Sequence, residues 1–460
     1  MGTCQTIRSL RAVSICLLVL GAAGCTDFSN DELVYDNPAP SDELYIPADE
    51  GDFFLAVAVS GGGSRSAVWS AAVLEELYRQ VKLPDGRSIT DEIDYISSVS
   101  GGSISSAYWC LNKPEVDTTH ASEYDTFFER FSADMCTNIQ GEMISRPREW
   151  SRLLLTDEQK GLVLMRELDD RFYSGRTFYD LYMREKARIS PTLIINGTEM
   201  DSGAKFLFTT LPRSEFTNRS LLSIVSGTTS GIMKSNIIYD PDVLRVRFCR
   251  DAGLSIGRMR VSRAVVASAG VPLLFGPVVL KDEFRSTPER EAYIHVNDGG
   301  ISDTLGLETL IQLFMDRYNR PKKKRFVRGL ILIIDANQHL DPEDSIFSIE
   351  GFGPAALIER SREIISYRGK NLTYLTIMFL QQDPRFKDIR FVYISPYMVD
   401  DPEIIARIKK TPTRLKIKPE NAENLRAAAT IVVGGIKDRI LANFEGKDVN
   451  GGQPAFGGVQ

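Results

Sequence analysis

A chain of 460 residues with 43% hydrophobic and 25% charged side chains has the make-up of a globular protein, with room for one large α/β domain or two smaller ones. Its formal net charge of −6 gives no electrostatic footprint for nucleic acid and argues against that class of partner. Six cysteines without zinc-like spacing exclude a disulfide scaffold and a cysteine-built zinc site.

Residues 1–24 read as an export signal. Arg8 and Arg11 precede the apolar run Ala12 to Leu20, too short to span a bilayer, and the run Gly21-Ala22-Ala23-Gly24 leads into Cys25. The closing Ala-Ala-Gly-Cys resembles a bacterial lipobox, with Ala22 where such boxes favour Leu. That resemblance implies diacylation of Cys25, a lipid anchor in a bacterial envelope and, with Thr26 rather than Asp following, the outer membrane. An ordinary signal peptide followed by an unrelated cysteine is the alternative. Residues 25–50 are expected to form an acidic, flexible tether, because Thr26 to Glu50 holds eight acids and neither Lys nor Arg. With Cys25 acylated, Cys110, Cys136 and Cys249 allow one disulfide at most.

Residues 51–446 are expected to be a single domain and 447–460 a glycine-rich flexible tail. Phe53 to Ser60 predicts a buried strand and Ser66 to Val81 a helix with Val68, Ala72, Leu74, Leu77 and Tyr78 on one face. A second strand, Asp94 to Val99, runs into a helix from Gly101 to Leu111. Glu123 to Ala187 reads as an inserted helical layer, aromatic and charged, and it leaves open whether the layer acts as a lid. Two strands follow within Pro191 to Thr210, then a helix from Met259 to Ala269. A strand reaching Asp298 and a helix from Leu307 to Tyr318 come next. Gly329 to Ala336 is a buried strand, Ala355 to Gln381 a helix, Ile389 to Pro396 a strand and Ala422 to Phe444 a last helix. The alternation predicts an α/β fold with a central, mostly parallel sheet covered by helices.

Three stretches carry chemistry. In Tyr95 to Trp109, "YISSVSGGSISSAYW", Ser100 stands where the strand ends, with small Ser98 two before and Gly102 two after, the spacing that a nucleophile elbow requires. Gly101 offers a backbone N–H at a helix N-terminus, where positive potential favours an oxyanion. Taken alone, the stretch reads equally as a small-residue turn. The run Gly61-Gly62-Gly63-Ser64-Arg65 lacks the Lys and Ser/Thr of a nucleotide loop and the spacing of a dinucleotide loop, and suits an oxyanion hole. Asp298 ends a strand before Gly299-Gly300, at the sheet edge where α/β sites are built; a turn or helix-capping aspartate is the alternative. Of three histidines, His295 alternates away from Asp298, His120 lies in a polar loop, and His339 alone could complete a triad. A carboxylate base is therefore favoured over an imidazole.

Gly-Gly-Gly-x-Arg, then x-Ser-x-Gly one strand-helix unit later, then Asp-Gly-Gly: this order resembles the patatin-like phospholipases. "PTLIINGTEMDSG" and "ASAGVPLLFGPV" also look like the family's intervening stretches, so the resemblance runs from about Phe53 to about Asp335. Ser98 departs from the family's elbow Gly, Ser66 from a frequent Gly after the arginine, and Thr304 from a frequent Asn. The resemblance implies a three-layer fold and a Ser100–Asp298 dyad without histidine. It also implies N–H donors from Gly61, Gly62 and Gly63, and an Arg65 that steadies the loop or meets a lipid phosphate. It further implies acyl hydrolysis of membrane phospholipid or another acyl-ester lipid, with no metal or organic cofactor called for and a calcium requirement left open. An anchored non-catalytic scaffold and an acyltransferase using the same serine are the alternatives; oligomeric state is not readable.

Overall fold

The computed structural model describes residues 33–40, 53–115, 121–145, 157–216, 245–270, 275–318, 328–337, 354–382, 386, 388–409, 411 and 416–447. The stretch read as an export signal (residues 1–24), Cys25, His120, the basic run Lys322 to Arg325, His339 and the tail from residue 448 lie outside the described residues.

Ten strands occur among the described residues: β1 (Val34–Tyr35), β2 (Phe53–Val59), β3 (Tyr95–Val99), β4 (Thr192–Glu199), β5 (Lys205–Thr209), β6 (Val246–Phe248), β7 (Val278–Lys281), β8 (Tyr293–Asp298), β9 (Arg328–Ile334) and β10 (Ile389–Ile394). The helices around them are α1 (Gly63–Gln80), α2 (Gly101–Asn112), α3 (Ala121–Met135), α4 (Ile139–Ile144), α5 (Asp157–Leu168), α6 (Phe178–Lys186), α7 (Val261–Ala269), α8 (Leu307–Tyr318), α9 (Pro354–Gln382), α10 (Pro402–Lys409) and α11 (Pro419–Glu445). All ten strands join one sheet in the order β1-β7-β8-β4-β3-β2-β9-β10, with β5 and β6 branching from β4. Pairing is parallel through β3, β2, β9 and β10 and antiparallel where β8 meets β4 and β7.

The central strands are apolar on both faces, as strands covered on both sides must be. In β2, Leu55, Val57 and Val59 enter one core, while Phe54, Ala56 and Ala58 enter the other. In β9, Leu330, Leu332 and Ile334 take the first side and Ile331 and Ile333 the second. Residues of α1, α2, α7 and α11 fill the first core; residues of α8 with Ile377 and Leu380 of α9 fill the second. The result is helix, sheet, helix: the α/β architecture expected from the alternation.

Two expectations need correction. Residues 33–40 lie within the stretch expected to be a flexible tether, yet β1 pairs in parallel with β7, and the Tyr35 hydroxyl donates to the Ser255 carbonyl at 2.6 Å. The mean acidity of residues 25–50 conceals Leu33-Val34-Tyr35, a triplet apolar enough to dock once a sheet edge is present. Helix α1 starts at Gly63, three residues before the expected Ser66, because Gly62 (φ 138°) and Gly63 (φ 58°) turn the chain at once. Cys110, Cys136 and Cys249 are all free thiols.

Candidate active site

Ser100 joins β3 to α2 with φ 53° and ψ −127°, a conformation rarely adopted by a side-chain-bearing residue. Strain of this kind costs on the order of 1–3 kcal/mol and persists only where neighbours over-determine it. Here the Ser100 N–H donates to Ser268 Oγ at 2.9 Å, and Ser268 Oγ donates onward to the Asn196 carbonyl at 2.6 Å. Asn196 Nδ2 donates to the Ser98 carbonyl and to Ser97 Oγ, both at 2.9 Å, holding the end of β3. Ser98 replaces the usual elbow glycine without conflict: it is buried, and its hydroxyl reaches the Ile194 carbonyl at 3.4 Å.

The small residues after Ser100 are required by contact. A Cβ on Gly101 would lie 2.1 Å from the Gly63 carbonyl oxygen, and one on Gly102 would lie 2.5 Å from that of Ser60. This close approach brings the N-termini of α1 and α2 together. Neither has a side-chain cap or an acid in its first turn, so first-turn N–H groups and two positive helix ends converge beside Ser100. Gly61 is the wall of this site rather than a donor: its N–H is given to the Thr304 carbonyl at 3.2 Å. A Cβ on Gly61 would come 3.3 Å from Ser100 Cβ. This takes Gly61 out of the expected donor set, since fixing the loop against Thr304 consumes its N–H.

Asp298 arrives by an unusual register. On β4, Ile194 to Asn196 pair with β3 and also with β5, while Gly197 and Thr198 pair with β8 and also with β5. A strand has two edges, so β3 and β8 share one edge of β4 and meet nearly end to end. Val99 lies beside Asn196 and Asp298 beside Gly197, the next residue. A Cβ on Gly299 would lie 3.3 Å from Val99 Cγ1, which places the two strand ends in contact. Asp298 is only 3% exposed and Ser100 6%. Asp298 Oδ1 accepts the Gly300 N–H at 2.9 Å, its own N–H goes to Asn297 Oδ1 at 2.9 Å, and its carbonyl accepts Thr198 Oγ1 at 2.9 Å. Asp298 is thus both a turn-capping aspartate and a residue at the elbow.

Arg65, 2% exposed, donates Nε to the Ala336 carbonyl at 2.7 Å and Nη1 to that of Thr411 at 3.0 Å. It ties the start of α1 to the end of β9, the loop-support arrangement, and has no open side towards a phosphate. His295 is half-buried and pairs through Nδ1 with Asp201 at 3.1 Å.

Sequence reasoning did not identify Ser268, Asn196 or Thr304 as supports of the site, since each is one small polar residue among many and only folding selects it. It also missed a buried cluster behind the glycine loop. Asp335, at the end of β9, pairs with Lys370 Nζ at 2.7 Å and accepts from the hydroxyls of Tyr393 (2.7 Å) and Tyr374 (3.1 Å). Burial works to raise its carboxyl, but Lys370, the Asn337 N–H and the Tyr393 hydroxyl bring it below the ordinary range. The Ala336 N–H beside it donates to Ser60 Oγ at 2.9 Å, linking the cluster to the glycine loop.

Comparison with known proteins gives the architecture a context. Among solved structures, human GIVD cytosolic phospholipase A2 is 11% identical, with a TM-score of 0.45, covering 96% of this chain and 64% of that one. The same human enzyme in complex with methyl gamma-linolenyl fluorophosphonate is 10% identical, with a TM-score of 0.44, covering 93% and 61%. The heterodimeric ExoU-SpcU complex of Pseudomonas aeruginosa is 16% identical, with a TM-score of 0.27, covering 91% and 60%. The chain spans less than two thirds of the length of each of these structures. No curated protein matches it. A sequence-family match, described as patatin-like phospholipase, runs over residues 57–311 and takes in the glycine loop, the serine elbow and the Asp298 turn. Since that match covers more than half of the chain, the protein belongs to the patatin-like phospholipase family.

Proposed function

We propose that the protein is a serine acyl hydrolase that cleaves acyl esters of membrane lipids through Ser100 and Asp298. The observation that carries this reading is the strained Ser100, held between two uncapped helix N-termini and reached end-on by the strand that delivers Asp298. Ser100 Oγ attacks the ester carbonyl carbon while its proton passes to the Asp298 carboxylate. The carbonyl oxygen becomes an oxyanion facing the N–H groups of Gly62, Gly63 and Gly101, which stand ready without reorganisation. Collapse expels the alcohol, which takes the proton, and leaves an acyl-Ser100 ester. Water then attacks that ester, giving its proton to Asp298, and the fatty acid departs as Ser100 recovers a proton. Arg65 acts in this scheme by steadying the glycine loop.

The export signal and Cys25 support a second part of the reading, a diacylated N-terminus that anchors the enzyme in a bacterial envelope, in the outer membrane where the host has one. The test of the catalytic reading is intact mass after treatment with a fluorophosphonate. A single adduct on the parent and none on folded Ser100→Ala is the expected result. A folded Ser100→Ala protein that hydrolyses lipid at the parent rate overturns it.

A further inference from the structure

Helix α9 is apolar on two opposite faces. Ile377 and Leu380 are buried against the sheet side, whereas Leu357, Ile364, Ile365, Leu372, Leu375 and Met378 are 40–63% exposed. At the helical repeat these six fall within one arc of about 140°, opposite the buried pair, and the stripe is about 32 Å long. They are six of the thirteen large hydrophobics exposed among the described residues, so the apolar surface is concentrated rather than scattered, the pattern of a docking face.

Helix α9 passes beside the candidate active site. α9 packs against the turn Gly299–Ile301 that follows Asp298, and Ile301 is itself 46% exposed. A Cβ on Gly369 of α9 would lie 3.6 Å from Thr304 Oγ1, and the Thr304 carbonyl holds the Gly61 N–H. Charge narrows the occupant. Arg368 is exposed near the middle of the stripe, while Glu363 is turned aside into an ion pair with Arg360 at 3.2 Å. An apolar face with a central guanidinium and no described acid complements a sheet of acyl chains bearing phosphates.

We propose that α9, with Ile301, is the surface by which the protein seats on a phospholipid bilayer. The apolar stripe enters the acyl region, and Arg368 reaches back to the phosphates. Binding at this face stands on the stripe alone; the consequence that an acyl ester reaches Ser100 without crossing water rests on the hydrolase reading above.

The test uses the full chain with Cys25→Ser, which removes the acyl anchor, and Ser100→Ala, which removes turnover. Flotation with vesicles of phosphatidylglycerol and phosphatidylethanolamine is compared with and without Leu372→Gln and Leu375→Gln. The doubly substituted stripe is expected to partition about tenfold or more less well. With Ser100 restored, it is expected to keep fluorophosphonate labelling and hydrolysis of a water-soluble short-chain ester while losing hydrolysis of vesicle lipid. Equal flotation of the two proteins overturns the proposal, as does a parent dimer that the substitutions convert to monomer, since a second copy then covers the face. Stripe-dependent flotation by a protein that cleaves no ester supports the surface and sinks the hydrolase reading. Ester cleavage by a protein that does not float does the reverse.

Discussion

The Ser268 hydroxyl accepts the backbone N–H of Ser100 at 2.9 Å and donates to the Asn196 carbonyl at 2.6 Å. One side chain on α7 thus clamps the strained residue of the elbow to the strand that separates β3 from β5. Ser268→Ala leaves the Ser100 N–H and the Asn196 carbonyl without this partner in a buried site, at a cost of about 1–3 kcal/mol. Fluorophosphonate labelling is expected to slow by about tenfold or more, with KM for a soluble ester little changed and Ser268→Thr restoring much of the rate. Loss of stability in the alanine protein with an unaltered labelling rate would assign Ser268 to the fold alone.

Asp298→Asn separates capping from chemistry. The amide oxygen still accepts the Gly300 N–H that Oδ1 now receives, so the turn and the melting temperature are expected to stay near the parent's. A base is lost, and the rate should fall by about 10²–10⁴-fold. Near-parent turnover with a preserved fold would mean that some other group takes the Ser100 proton.

Lys370 neutralises the buried Asp335 carboxylate behind the glycine loop. Removing one member of such a pair leaves an uncompensated charge and typically costs about 3–5 kcal/mol. Lys370→Met is expected to lower the denaturant midpoint by a corresponding amount. Labelling of Ser100 is expected to weaken as well, through Ala336 and Ser60. An unchanged midpoint would show that the two tyrosine hydroxyls suffice.

Glu185 on α6 is buried with no ion-pair partner among the described residues, bonded to the Leu193 N–H at 3.0 Å and to the Thr210 hydroxyl, and burial pushes its carboxyl up to about 7. The folded state therefore holds a proton that the unfolded state releases near its ordinary value of 4.5. Between these values the unfolded chain binds fewer protons, so stability falls as pH rises from about 4.5 to about 7 and then levels, by about 3 kcal/mol from this group. Glu185→Gln is expected to flatten that part of the thermal-midpoint profile and to raise the midpoint most at pH 8. The parent and the variant having parallel profiles would exclude a protonated Glu185.

Much of the fold could be read from local pattern. α8 spans Leu307–Tyr318, as its periodicity predicts, β4 and β5 fall within Pro191 to Thr210 as expected, and β9, α9 and α11 differ from expectation by a few residues at their ends. Apolar period and breaker residues are properties of short windows, which the sequence displays directly. The short strands β1, β6 and β7 were not legible, because two to four residues carry no period of their own and exist by pairing with a neighbour.

The same division runs through the site. The order Gly61-Gly62-Gly63, Ser100, Asp298 is visible in sequence because an elbow and a tight loop demand small residues, and such demands act over two or three positions. Which glycine N–H remains available, which serine clamps the elbow and what Arg65 holds depended on partners far away in the chain: Thr304 for Gly61, Ser268 for Ser100, Ala336 and Thr411 for Arg65. Sequence determined the residue types that this chemistry and this strand-helix alternation need, since those are set by covalent geometry and short-range sterics. Tertiary structure alone decided that β3 and β8 share one edge of β4, so that the strand ends carrying Ser100 and Asp298 meet, because register is fixed by the summed burial of whole strands rather than by any residue in them.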